Sequence, residues 1–411
     1  MKTTILKSVT TVLVALFSLN AFAYDVEIDG IYYNLISKVK TAKVTNPYDN
    51  MIDKALNNVY SGILTIPETI EHNGIQYTVT EIEAYAFQFN GVASISLPNT
   101  ITSIGMGAFE SSSIKSIVFP NSVTSIGMRA FANCSGLETV TLPNSLHTIG
   151  DDAFSGCRKL KEVSISNTII SIGNRAFSGS VNLKTIDIPK SVSHIGRSAF
   201  YGCSKLEQVV FHDATLISIG YGAFDGCEQL SSINLPNSVS YIEGESFSGC
   251  TSLTSIEIPT SVGSIERGTF SGCSHLEHVT LPSSITSIGS GAFADCPNLS
   301  EIYCYASEPP TIPESDKFLV IYKHPFDKSF PDYITLHVPS ASIDAYKATE
   351  PWSGLGTIVA LTEEETGLES IISKIPVSTI FTLDGRQVPN LQKGVNIIKM
   401  SDGNTKKVLL K

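Results

Sequence analysis

Residues 130–166 read AFANCSGLETVTLPNSLHTIGDDAFSGCRKLKEVSIS, and they state nearly the same thing twice. Phe131 is followed three residues later by Cys134, and Phe154 three residues later by Cys157. Working outward, ten phenylalanines fall in register: Phe87, Phe109, Phe131, Phe154, Phe177, Phe200, Phe224, Phe247, Phe270 and Phe293, at steps of 22, 22, 23, 23, 23, 24, 23, 23 and 23. Self-similarity at such a period marks a stacked array, in which each unit buries its apolar side on its neighbours.

The apolar spacing changes within each unit. Val140 and Leu142 alternate with Thr139 and Thr141, the period of a strand. Ile126, Ala130, Cys134 and Leu137 are spaced four, four and three, which predicts one face of a short helix or 3₁₀ turn. Each coil is therefore expected to be a short strand, a turn at Leu-Pro-Asn-Ser and a compact return arm, with proline at the strand end where its missing N–H costs no ladder bond. Small residues precede the phenylalanines: eight alanines, Ser246 and Thr269. The position after the repeated isoleucine is glycine in seven units but glutamate at Glu83, Glu243 and Glu266, so a left-handed backbone is not required there.

Seven of eight cysteines share one column, which Ser180, Ser112 and Asn90 fill in other units, and Cys304 falls where Leu281 sits one repeat earlier. Parallel Cβ directions favour buried free thiols over disulfides, and single thiols in file do not converge as zinc ligands do.

The unit L-x-x-[VI]-x-[LI]-P-x-[ST]-[VIL]-x-x-I-G-x-x-A-F-x-x-C resembles the BspA-like leucine-rich repeat family. LETVTLPNSLHTIGDDAFSGC, LKTIDIPKSVSHIGRSAFYGC, LTSIEIPTSVGSIERGTFSGC and LEHVTLPSSITSIGSGAFADC carry the resemblance most clearly, and it runs over about residues 60–304. It implies a curved solenoid with a parallel sheet on one face. It also implies a surface protein of the kind found in gut and mouth anaerobes and some protists, acting in adhesion to host proteins or other cells. The expected fold class is thus a leucine-rich repeat solenoid of about ten coils, with short parallel strands on one face, helical or 3₁₀ return arms on the other, and β-rich caps. Ser166 replaces proline in one unit, and LEQVVFHDATLISIG carries an extra residue with Asp213 near the turn, where a bulged or shifted turn is expected.

Residues 1–23 read as a secretory signal: Lys2 and Lys7, the apolar run SVTTVLVALFSL, and the small-x-small site of Ala21 and Ala23. A chain starting at Tyr24 carries 26 basic against 39 acidic residues, a net −13. That charge argues against nucleic acid or an anionic membrane as partner, and no later apolar run is long enough to span a bilayer. Residues 24–80 read as an N-terminal β cap with hairpin turns at Asp29-Gly30 and Asn73-Gly74, residues 81–304 as the solenoid, and 305–362 as a C-terminal cap plugged by Trp352. Residues 363–374 read as an acidic linker. Residues 375–411 form a small β tail with turns at Asp384-Gly385 and Asp402-Gly403. Its LDGRQV, KGVNIIK and KKVLLK resemble the C-terminal tails that direct type IX secretion in Bacteroidota; a structural β tail is the alternative reading.

The outward strand positions form polar columns. The candidate ligand face comprises Thr139, Thr141, Glu162, Ser164, Asp187, Gln208, Asn234, Glu257, His278 and Thr280. Glu162 and Asp187 are placed to approach diagonally, but Lys161 and Lys184 flank them and no aromatic platform for a sugar is nearby. His275-x-x-His278 has the wrong spacing for one face of a strand. No nucleophile, phosphate or calcium motif is present, so neither enzyme activity nor a cofactor or metal is expected. The expected protein is an exported, monomeric, non-catalytic binding protein for a protein or cell-surface ligand. A polysaccharide-active β-solenoid enzyme and a purely structural surface array are the alternatives.

Overall fold

The computed structural model describes residues 24–57, 59–212, 215–313, 324–362 and 365, and four strands of the C-terminal segment within 377–410. The signal segment 1–23, the turn at Asp213, the linker apart from Glu365, and the turns at Asp384-Gly385 and Asp402-Gly403 lie outside the described residues.

The chain winds as a solenoid with two parallel ladders. The first is built from the alternating Val/Ile-x-Leu segments. It runs Ser61–Thr65, Gly91–Ser96, Ser116–Ile117, Thr139–Thr141 and Glu162–Ser164, continues as Thr185–Ile188 with Gln208–Phe211, and resumes from Ser255–Glu257 through His278–Leu281 and Glu301–Cys304. Two strands beyond the repeats, Thr335–Val338 and Thr357–Ala360, extend it in parallel. The ladder lapses at the coil of Asn234, the one after the unit with the extra residue.

A second ladder was not expected. It consists of two-residue strands such as Thr148–Ile149, Ser171–Ile172, His194–Ile195, Ser218–Ile219 and Tyr241–Ile242. Each places its isoleucine inward, at 0–2 % exposure in this set. Two residues are too few for alternation to register, which is why the pattern passed as part of the turn.

The return arm buries the expected face, since Ile126, Ala130, Cys134 and Leu137 are all in the core. Its backbone keeps the i→i−3 bonds of a 3₁₀ turn, but only at alternate residues. Ala130, Ala132 and Cys134 donate to Gly127, Arg129 and Phe131, while Arg129, Phe131 and Asn133 donate to Asp151, Ala153 and Ser155 of the next coil. A helix would turn every N–H along its own axis; consecutive β-turns satisfy all of them and also tie the coils together. The arrangement needs a left-handed residue two before and two after each phenylalanine, as at Arg129 and Asn133 or Asp152 and Gly156.

The phenylalanines stand in file. From Phe131 to Phe293 successive ring centroids lie 5.3–5.6 Å apart with planes within 10° of parallel. Each ring is fully buried, a contribution of about 1.5–3 kcal/mol before aromatic contacts are added. Tyr60 continues the stack at one end at 4.8 Å from Phe87, and Phe326 at the other at 5.7 Å from Phe293. All eight cysteines are free and buried. The seven thiols of the repeat column donate to phenylalanine carbonyls, as Cys157 Sγ does to Phe131 O at 3.2 Å, Ser180 Oγ makes the same bond to Phe154 O, and Cys304 Sγ lies 3.2 Å from the Tyr346 hydroxyl.

At the N-terminal end Val26–Ile28 and Ile31–Ile36 pair antiparallel through Asp29 and Gly30, both at positive φ, and Thr69–His72 pairs with Ile75–Ile82 through Asn73-Gly74 in the same way. A short helix, Met51–Leu56, capped by Asn50, was not expected. At the C-terminal end Trp352 is fully buried against Phe326 and Tyr346, and its Nε1 donates to Pro310 O at 2.8 Å. In the tail Val377–Thr382, Gln387–Val388, Gly394–Met400 and Thr405–Leu410 form an antiparallel four-stranded sheet. Among the described residues no helix is long and apolar enough to cross a membrane.

Candidate functional site

The candidate face is the outward side of the first ladder, and strand register decides which of its residues meet. Thr139 lies opposite Glu162, and Thr141 opposite Ser164. Thr185 faces Gln208, and Asp187 faces Val210, where the polar column is interrupted. Ser255 faces His278 and Glu257 faces Thr280. Thr139, Thr141, Glu162, Ser164, Asp187, Gln208, Asn234 and His278 are exposed, whereas Glu257 and Thr280 are half-buried. Asn234 lies on the coil without a ladder strand, so its place in the column rests on the repeat rather than on a paired neighbour.

Charges pair along columns, between coils. Lys161 Nζ lies 2.9 Å from Glu138 and Lys184 Nζ 3.1 Å from Glu207. Asp187 has His212 at 3.8 Å as its ionic neighbour, a residue the sequence reading did not single out. These are exposed pairs of the kind that contribute little to stability. Burial raises the Glu257 carboxyl above its ordinary range. His275 does not join His278: its Nδ1 lies 2.6 Å from the Thr251 carbonyl. Among the described residues no group of three metal-ligating side chains gathers anywhere.

At its C-terminal end the face is occupied from within the chain. His337 Nε2 lies 2.7 Å from Glu301, the ring stacks on Tyr303 at 4.4 Å, and Glu365 sits 3.7 Å from Nδ1 while its carbonyl accepts from Tyr305 Oη. These contacts involve residues that the repeat alone does not bring together: His337 comes on the first added strand, and Glu365 follows the second. The stretch from Thr139 to His278 thus offers hydroxyls, the two amides Gln208 and Asn234 and scattered carboxylates on a long surface, chemistry suited to many weak polar contacts.

The sequence profile of the BspA type Leucine rich repeat region matches residues 80–207 and 193–314, in six copies. Among solved structures, a leucine-rich repeat protein from Bacteroides ovatus is 27% identical, covering 68% of this chain and 94% of its own, with a TM-score of 0.37. A leucine rich cell surface protein from Faecalibacterium prausnitzii is 23% identical over 83% of this chain and 96% of its own, TM-score 0.43. The pneumococcal vaccine antigen PcpA is 20% identical over 82% and 98%, TM-score 0.47. No curated protein matches the chain. With the repeat profile spanning more than half its length, the chain belongs to the BspA-type leucine-rich repeat family.

Proposed function

We propose that the protein is an exported, non-catalytic binding protein of the cell surface or its surroundings, which adheres to a protein or to another cell through the outward side of its first ladder. The observation that carries this reading is the series of exposed polar residues from Thr139 and Thr141 to His278, in register within each run of the ladder. Ten coils at about 4.7–4.9 Å give a face on the order of 45–50 Å long, the scale of a protein partner and not of a small molecule. The signal-like residues 1–23 supply the route of export, and the tail is proposed to act in sorting.

Residues 24–362 immobilised as bait for host-matrix and bacterial surface proteins should retain a partner that the triple variant Glu162→Lys, Asp187→Lys, Glu257→Lys releases. Undiminished capture by a folded triple variant would remove the strand face from consideration. Turnover of a polysaccharide by the parent protein would replace the reading with an enzymatic one.

A further inference from the structure

The second ladder carries a side-chain column of its own, formed by the residue two after each repeated isoleucine. Asn174 Nδ2 donates to Asp151 Oδ2 at 3.2 Å, the Arg197 N–H donates to Asn174 Oδ1 at 2.9 Å, and the Arg197 guanidinium lies 4.5 Å from the centroid of the Tyr221 ring. Each rung thus engages the one before it. The next rung is Gly244, which has no side chain to offer; a Cβ placed there would lie 2.8 Å from the Arg267 carbonyl oxygen and 3.6 Å from the Tyr221 ring, and Arg267 is the rung after it. At the same level the second ladder is interrupted: Tyr241–Ile242 ends one run and Ser264–Ile265 begins the next. The result is a cleft of about 250 Å³ lined by Tyr221, Tyr241, Glu243, Gly244, Ser264 and Glu266.

Two of those walls are exposed carboxylates and one is an exposed tyrosine, at 67 %. Glu243 Oε2 accepts the Tyr221 N–H at 2.8 Å, and Glu266 Oε1 accepts from Ser264 Oγ. A third carboxylate, Glu245, is hydrogen-bonded to the Tyr221 phenol, which burial first and that bond second push up to about 12, so the ring is neutral. Around Tyr221 the bases are Arg197, on the ring's filled side, and Arg267, so three acids face two bases.

We propose that this cleft receives an arginine side chain of a protein ligand, its guanidinium against the Tyr221 ring and paired with Glu243 and Glu266. The opposite side of the same ring already holds a guanidinium, so the ring's position and electron density suit a second one. A planar fork with donors on two edges fits two flanking carboxylates better than an ammonium does. One added positive charge balances the local excess of acid. The site lies on the other ladder from the proposed adhesive face and stands independently of it.

The test uses the full chain and the peptide Gly-Gly-Arg-Gly-Gly, followed by calorimetry or ligand-observed NMR, with the citrulline peptide as its neutral isostere. The arginine peptide should bind and the citrulline peptide should bind roughly tenfold more weakly. Glu266→Gln and Tyr241→Ala, both on exposed side chains, should each weaken binding several-fold while thermal melts stay unchanged, and added salt should weaken it further. Glu162→Lys with Asp187→Lys should leave it unaltered, which separates this site from the adhesive face. No binding of the arginine peptide, equal binding of citrulline, indifference to both cleft substitutions, or preferential binding of maltotriose or chitotriose at the cleft would each overturn the proposal.

Discussion

At the scale of the residue, Glu257 is the outward side chain that does not behave as a solvated one. It is half-buried, and burial raises its carboxyl above the ordinary range. A carboxyl whose folded value is raised binds its proton more readily folded than unfolded. The associated stability is present in acid and is lost as pH rises from the ordinary carboxylate value through the folded one. Glu257→Gln is therefore expected to melt about 1–2 °C higher than the parent near pH 7 and to match it near pH 3, measured by calorimetry. Sequence placed Glu257 in its column correctly but could not anticipate that burial, because the two flanking coils contribute from about 23 residues away on either side. The cysteines show the opposite case. Their column, their serine substitutes and the lack of converging ligands already pointed to packing, and burial holds thiols such as Cys134 and Cys203 up at about 12.

At the scale of the element, the repeated Ile-Gly is explained by distance, not by dihedral angle. A Cβ on Gly196 would lie 2.6 Å from the carbonyl carbon of Gly173, and one on Gly173 2.6 Å from the Ile149 oxygen. The glycine lets consecutive second-ladder strands come into bonding range. Glutamate takes the same position at Glu266, where that ladder is interrupted, and at Glu243, whose N–H still donates to Ile219 O at 3.0 Å. Gly196→Ala should therefore cost about 1–3 kcal/mol in urea unfolding. Gly263→Ala, with its nearest neighbour at 4.0 Å and no positive φ, should change little. That glycine could be replaced at all was legible from three glutamates; what it does was not, because the second ladder itself was hidden. The same holds for the return arm, where spacing found the buried face but could not distinguish a helical turn from β-turns that share its i→i−3 bonds.

At the scale of the whole molecule, a solenoid exposes its core at both ends, and this one closes the aromatic file with Tyr60 and with Phe326 under Trp352. Tyr60 and Phe326 were not legible as members of the stack, since Phe326 follows Phe293 by 33 residues, outside the repeat period. Trp352→Ala removes a fully buried ring and the hydrogen bond to Pro310. The expected cost is about 3–5 kcal/mol of local stability. Hydrogen exchange should speed up in Thr335–Val338 and Thr357–Ala360 well before it does in Glu162–Ser164. Equal acceleration along the entire array would mean that the coils unfold as one unit.

The uniform file of phenyl rings has a genetic corollary. Phe154, Phe177 and Phe200 occupy superimposable surroundings, so excising the 23 residues between any two equivalent positions brings together ends already shaped to meet. Recombination between repeats can thus lengthen or shorten the protein by whole coils without building a new junction. Copy number then becomes a heritable dial on how far the molecule reaches.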